Sequence, residues 1–494
     1  MATPHCFFIL SLSLLLLFHG SFSLRQPRDE CQVDRINALE PDNRVECEAG
    51  VIDSWNPNED QFQCAGVAVV RWTIEPRGLL LPSYSNAPQL VYIVRGRGVT
   101  GISFAGCPET FQESQQPGVS TRVQDKHQKI RRFRQGDIIA IPAGVPHWCY
   151  NDGNEPVVAV SVLDVHNGAN QLDMNPRVRD DQIPLSIYEI PTKFKVVGHF
   201  YVAGNPEDMF RQRFDETRDP RGPRETRRPF MEPTQRECNN LFCGMDTRFL
   251  AEAFNVNEQL ARKLRNENDV RGNIVRVEGN LQLVRPPRTQ QERQEQLQRE
   301  RGFGRRPNGL EETYCSARII ENIGDPTRAD VFVPEAGHVR TVNSHNLPIL
   351  ERMQLSASHV VLRDNSVRLP HLHMNAHSLL YAVRGQAQVQ VVDENGNAVF
   401  DGNVREGQVL TVPQNFAVVK RTDRDVFEYV AFKTNDNAMT NDLAGRASTM
   451  SALPVEVIAT AYRLSLEDAR RLKFATHETT LKSVRPRPGR WADA

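Results

Sequence analysis

Three imidazoles cluster in the second half of the chain, in His371-Leu372-His373 with His377 shortly after. Alternate residues of a strand face one side, so His371 and His373 would point together and, with His377, could hold one zinc or copper ion. The same residues would serve equally as the polar rim of a strand end. A second kind of chemistry is offered by Asn308-Gly309, which ends a tract rich in arginine and glutamine. This is a small, flexible bond, and Arg301, Arg305, Arg306 and Pro307 beside it argue against packed structure, so a protease could reach it. Alone, the pair reads also as a hairpin turn or a deamidation spot. No Walker loop and no Gly-x-Ser-x-Gly elbow is present, and Gly96-Arg97-Gly98 followed by Gly101 is a strand-edge glycine cluster without a following helix.

The compartment bears on what these residues can become. Phe7 to Phe18 form an apolar run, and Ser21-Phe22-Ser23 supplies small residues for signal peptidase, so residues 1–23 read as a secretory signal cleaved after Ser23. The run is shorter than the roughly 20 residues of a spanning helix, and no later stretch is long enough, so no membrane partner is expected. Secretion permits disulfides, and the nine cysteines are read as bridges before metal ligands. Cys6 leaves with the signal. No CxxC spacing occurs, and the closest pair is Cys238 and Cys243. The 60 basic and 61 acidic residues exclude a general nucleic-acid footprint. Nine of the 60 are lysine and 51 are arginine, which suits bidentate ion pairing and equally suits a store of nitrogen.

The elements that must position these residues come in two copies. Leu90-Val91-Tyr92-Ile93-Val94-Arg95-Gly96 returns as Leu379-Leu380-Tyr381-Ala382-Val383-Arg384-Gly385, and Gly136-Asp137-Ile138-Ile139-Ala140-Ile141-Pro142 returns as Gly407-Gln408-Val409-Leu410-Thr411-Val412-Pro413. The first copy carries the longer connection, a polar stretch around Gln112 to Gln128 that reads as a surface loop. Short β-branched and aromatic runs punctuated by Gly and Pro predict antiparallel sandwiches or jelly rolls. Helices follow each copy, with Asn257 and Ser465 at N-cap positions and Ser465-to-Asp468 at capping-box spacing. Pro286 to Pro307 has too few apolar residues to order itself and is expected to be a linker, with Phe210 to Glu237 a second mobile loop.

A barrel plus helices, twice, resembles the bicupin fold of seed globulins, and Asn308-Gly309-Leu310-Glu311-Glu312-Thr313-Tyr314-Cys315 resembles the processing junction of the legumin-type (11S) seed storage globulins. The resemblance runs over nearly all of the mature chain. It implies a mainly β fold of two jelly-roll β-barrels, each followed by α-helices. The units are expected at 24–285 and 309–494, with the linker at 286–308. Asparaginyl endopeptidase would cut after Asn308, leaving two disulfide-linked chains. The resemblance pairs Cys31 with Cys64 and Cys107 with Cys315, leaving Cys47, Cys149, Cys238 and Cys243 unassigned. It further implies assembly with like subunits as trimers and then hexamers in a protein storage vacuole. One stretch departs from the family pattern: residues 178–199 intervene before Phe200-Tyr201, as a genuine insertion or as translated intron.

Metal-dependent cupin enzymes use a His-x-His pair, a carboxylate and a later histidine. The first barrel keeps Gly136, Pro142, Gly144, His147 and Asn151, with His147 matching the last ligand, but the repeat offset puts Pro82 and Tyr84 in the His-x-His slots. The second keeps His371 and His373, with His377 or Ser378 at the carboxylate slot, but has Val418 at the last. Neither set is complete. No catalysis and no cofactor are therefore expected, His147 is read as structural and hydrogen-bonded, and His371, His373 and His377 remain the only metal candidates. The alternative function is a metal- or small-ligand-binding cupin.

Overall fold

A computed structural model describes residues 33–109, 111–112, 126–170, 197–210, 239–279, 281, 283 and 314–484. The signal, Cys31, Cys238 and the Asn308-Gly309 bond lie outside the described residues, as do 286–308 and nearly all of the expected loop at 210–237.

Each copy folds as two antiparallel sheets face to face. In the first, the larger sheet runs Asn43–Cys47, Gly50–Ser54, Val67–Ile74, Val157–Asp164, Gln89–Arg95, Asp137–Ile141 and Ile320–Asn322. The smaller runs His199–Tyr201, Gly78–Ser85, His147–Tyr150, Arg97–Ile102 and Ile130–Arg134, with Ile274–Arg276 also paired to Gly78–Ser85. The second copy repeats this with a larger sheet of Val331–Val333, Gly337–Val342, Ser356–Leu362, Phe427–Lys433, Ser378–Arg384 and Val409–Val412. Its smaller sheet runs Ala398–Arg405, Gln386–Val392, Ala417–Arg421, Ser366–His373 and Thr440–Asp442.

Sequence pattern separates sheets wetted on one side from sheets covered on both. Gln386–Val392 alternates exposed glutamine with buried Ala387, Val389 and Val391, the period of a strand with one wet face. Val67–Ile74 and Gln89–Arg95 are buried almost throughout, because the larger sheets of the two units pack their outer faces together. Trp55 meets Tyr381 edge to face at 6.4 Å, and Tyr92 stacks on His359 at 5.9 Å. One apolar core thereby continues through both units. The repeated Arg-Gly pairs end equivalent strands: Gly96 and Gly385 have φ of 88° and 77°, a left-handed turn that side chains resist.

The units also exchange segments. Ile320–Asn322, downstream of the linker, pairs with Asp137–Ile141 of the first unit, with Ile139 opposite Ile320. In return, the Ile36 amide donates to the Val399 carbonyl and Leu39 bridges Val409 in the second unit. Part of the apparently foreign segment belongs to the fold. Val197 is buried, the Gly198 amide donates to Asn86, and His199 pairs with Ser85. Residues 197–199 therefore pack as part of the first unit; the hydrophobic pattern could not reveal so short a strand.

A helix pair follows each barrel, Thr247–Phe254 with Glu258–Arg265 and Val455–Tyr462 with Leu466–Phe474. Asn257 caps its helix by accepting from the Leu260 amide at 2.8 Å, and Ser465 accepts from the Asp468 amide at 3.0 Å. The Asp468 carboxylate accepts the Ser465 hydroxyl at 2.8 Å.

Candidate functional site

The strand that carries the candidate ligands runs Ser366–His373, and its counterpart in the first unit is Gly78–Ser85. Both show the same succession of buried and half-buried positions, which sets Arg368 against Leu80, His371 against Ser83 and His373 against Ser85. Strand pairing agrees: His371 lies opposite Val418, and Ser83 lies opposite His147. This corrects the reading from the repeat. The His-x-His slots of the first barrel are Ser83 and Ser85, not Pro82 and Tyr84. The repeat offset slips by one between these strands and Gln89–Arg95, because the turn after His373 holds one residue more than the turn after Ser85. Two serines and one histidine remain a poor ligand set for a divalent ion.

His147 is 5 % exposed, and its Nδ1 has no hydrogen-bond partner among the described residues. Burial pushes its imidazole down to about 4, so it is neutral over the physiological range. Beside it on the same strand, Cys149 is a free thiol, raised to about 12 by burial and so kept protonated.

In the second barrel His371 and His373 are neighbours, with ring centroids 5.8 Å apart. His371 Nδ1 lies 2.8 Å from the Leu369 carbonyl, and His373 Nδ1 lies 3.1 Å from the Thr440 hydroxyl. His377 is held elsewhere: its Nδ1 accepts from the Gln414 amide at 3.2 Å, and it faces Ala65 and Val67 of the first unit. The three imidazoles do not converge, and no group of three His, Cys, Asp or Glu among the described residues could hold a metal ion. What surrounds His371 and His373 is positive charge. Lys420 and Lys433 are buried, as is Arg368, which pairs with Asp442 at 2.9 Å. Burial first, then Lys433, Lys420 and Arg368, drive His373 down to about 2. Sequence reasoning missed this cluster, treating lysine and arginine as bulk composition. The signal was available in the repeat, where Lys420 and Lys433 replace Cys149 and Leu163 of the first barrel.

At the other candidate, Cys107 and Cys315 form a disulfide with Cα atoms 5.4 Å apart. Tyr314 beside it stacks on Phe104 at 5.3 Å, with the Arg352 guanidinium 5.4 Å from its ring centre. Cys64 and Cys243 are each disulfide-bonded, and their partners lie outside the described residues. Cys47, like Cys149, is free.

Two jelly rolls in tandem, with incomplete ligand sets in both interiors, define a bicupin. The Cupin family matches residues 36–183 and 321–470. An 11S globulin seed storage protein of Anacardium occidentale is 53% identical over 486 residues, covering 96% of this chain and 98% of that protein. The crystal structure of the coconut allergen cocosin superimposes with a TM-score of 0.74 at 42% identity, covering 92% of this chain and 100% of that one. A recombinant pro-11S globulin of pumpkin gives a TM-score of 0.74 at 40% identity, with 92% and 100% covered. The chain belongs to the 11S globulin seed storage proteins of the cupin family.

Proposed function

We propose that this chain is a nitrogen reserve made as a precursor, cut once between Asn308 and Gly309 by an asparaginyl endopeptidase, and deposited without enzymatic activity in a protein storage vacuole. The observation that carries this reading is the crossing of the boundary by covalent and noncovalent ties together. Cys107 and Cys315 lie on opposite sides of Asn308, and Ile320–Asn322 completes a sheet of the upstream unit. A chain so tied tolerates one cut without falling apart. The likeness to a pumpkin globulin solved in its pro-form agrees with a precursor stage. Removal of residues 1–23 after Ser23 would start its route through the secretory pathway, and 51 arginines supply the nitrogen.

Assembly with like subunits follows from the helix pairs. Phe249, Phe254 and Leu260 on one pair, and Tyr462, Leu466 and Phe474 on the other, are all roughly half exposed or more. Unlike faces of one chain can meet head to tail, and such a contact closes into a ring when the rotation allows; the family resemblance makes that ring a trimer. The uncut segment before Tyr314 would lie against the face a second trimer approaches. Ordering it would cost about 1 to 2 kcal/mol per residue.

The test is direct. N-terminal sequencing of the smaller fragment from mature seed should begin Gly309-Leu310-Glu311, and an uncut chain there would refute the processing. Asn308→Gln should stop at the trimer on a sizing column while wild type treated with the endopeptidase advances to hexamer. Hexamers of the uncut variant would refute the role of the cut in assembly.

A further inference from the structure

Three Asn-Gly pairs occur in the chain, Asn167-Gly168, Asn308-Gly309 and Asn395-Gly396, so a peptidase that recognised only the pair would cut all three. Such an enzyme must take the asparagine side chain into a pocket and the backbone around it in an open, extended form. Asn167 offers neither. It is 7 % exposed, its Nδ2 donates to the Met353 carbonyl of the second unit at 3.0 Å, and its Oδ1 accepts from the Ala169 amide at 3.0 Å. Asn395 is different, for it and Gly396 are exposed in the hairpin that joins Gln386–Val392 to Ala398–Arg405. A β-carbon built on Gly396 would meet nothing within 4 Å. Exposed tips of small polar residues are where proteases usually nick a fold.

What closes this tip is its own hydrogen bonding. Asp393 Oδ1 accepts from the Asn395 amide at 2.9 Å and from the Asn397 amide at 2.7 Å, and Oδ2 accepts from Asn397 Nδ2 at 3.0 Å. The Gly396 amide, on the nitrogen that a cut would release, donates to the Asp393 carbonyl at 3.2 Å, and the Asp393 amide donates to the Asn397 carbonyl at 3.0 Å. The Asn397 side chain, with the backbone amides of Asn397 and Asn395, holds the Asp393 carboxyl below the usual carboxylate range, so these bonds keep their charged acceptor in mildly acid surroundings.

A cut here would differ in kind from one at Asn308. All nine cysteines lie at or before Cys315, so the 99 residues from Gly396 to Ala494 would keep no covalent tie to the rest. They include Phe427–Lys433, a strand flanked on both sides in the larger sheet of the second barrel.

Resting on the reading of Asn308 as a processing site, we propose that Asn395-Gly396 is a second, latent site for the same endopeptidase, kept whole because Asp393 holds the turn closed. The reaction is hydrolysis: the bond from the Asn395 carbonyl carbon to the Gly396 nitrogen breaks, and water supplies hydroxyl to the carbon and a proton to the nitrogen. Asp393 is a positioning residue, acting on the shape of the turn and not on the reacting atoms. Cleavage waits for local opening, and its rate follows the population of the open turn.

Folded full-length wild type treated with asparaginyl endopeptidase should be cut at Asn308 and keep Asn395-Gly396 whole, while the same chain reduced, alkylated and unfolded should be cut at both. Folded Asp393→Ala should be cut at Asn395 at least about tenfold faster than wild type. The product is a 99-residue fragment beginning Gly396-Asn397-Ala398, released on a denaturing gel without reductant. Adding Asn395→Gln should abolish it. An intact Asn167-Gly168 bond in the same digest shows that the variant is folded; if that bond is cut, Asn397→Ala, which removes only a side-chain bond to Asp393, takes its place under the same requirement. Cutting of folded wild type at Asn395, an unfolded chain left whole there, or a variant cut no faster than wild type would each overturn the proposal. Cleavage at Asn308 is a separate readout in the same digests and bears on the processing reading alone, so the two fail separately.

Discussion

After cleavage, two ties hold the halves together, and their magnitudes predict which one decides the outcome under each condition. The Cys107–Cys315 bridge spans 208 residues, and in the uncut chain closing so long a loop is worth roughly 5 kcal/mol in the entropy model. Against it stand side chains that cross the boundary. Ile319 and Ile323, on either side of the exchanged strand, are 0% exposed, and Ile36, lying on the second barrel, is 1% exposed. At about 2 kcal/mol for each fully buried isoleucine, these three alone contribute roughly 6 kcal/mol, an upper figure for them. They are also only part of the boundary, since Trp55 and Tyr92 pack on Tyr381 and His359. The noncovalent tie therefore suffices in native conditions, and the bridge matters only once packing is lost. Cys315→Ser, cut with asparaginyl endopeptidase, should elute from a native sizing column with both fragments in one peak. On a denaturing gel without reductant the same sample should give two bands where wild type gives one. Separation of the fragments on the native column would refute the argument from exchanged strands, and comigration on the denaturing gel would mean that another cysteine makes the link.

Acid should destabilise the first barrel through His147: its folded value near 4 lies below the ordinary 6.5, so the unfolded chain binds the proton first and stability falls as pH drops from about 6.5 to 4. The full loss is roughly 3 kcal/mol, and His147→Gln should flatten that part of a thermal-midpoint profile against pH; an unchanged slope would refute it. Gly385→Ala would put a β-carbon against the Val426 carbonyl at a φ of 77°, costing roughly 2 kcal/mol or more, measurable as a lower unfolding midpoint. Phe249→Asp, at a side chain 72% exposed, should leave the monomer's midpoint within about 0.5 kcal/mol of wild type while shifting sedimentation toward smaller species; full assembly of the variant would remove this helix face from the interface.

The division of labour between sequence and tertiary structure is visible residue by residue. Punctuated β-branched runs and the repeated Leu-Val-Tyr and Gly-Asp segments determined two similar β units, because strand period and turn chemistry are local properties. Asn257 and Ser465 announced their helices for the same reason, since a cap needs only its own next three residues. Register was beyond local reach. A turn one residue longer after His373 than after Ser85 moved the ligand slots of the first barrel from Pro82 and Tyr84 to Ser83 and Ser85, and a slip of one exchanges the interior and exterior faces of a strand. Likewise, Ile320–Asn322 reads as the start of the second unit but pairs in the first, and nothing within three residues can say which sheet edge lies near. The cation cluster belongs to the same class. Arg368, Lys420 and Lys433 sit on three strands of two facing sheets, so their common burial exists only once the sheets close on each other. Sequence supplied their charges; the closed barrel removed the water that would have made those charges inconsequential.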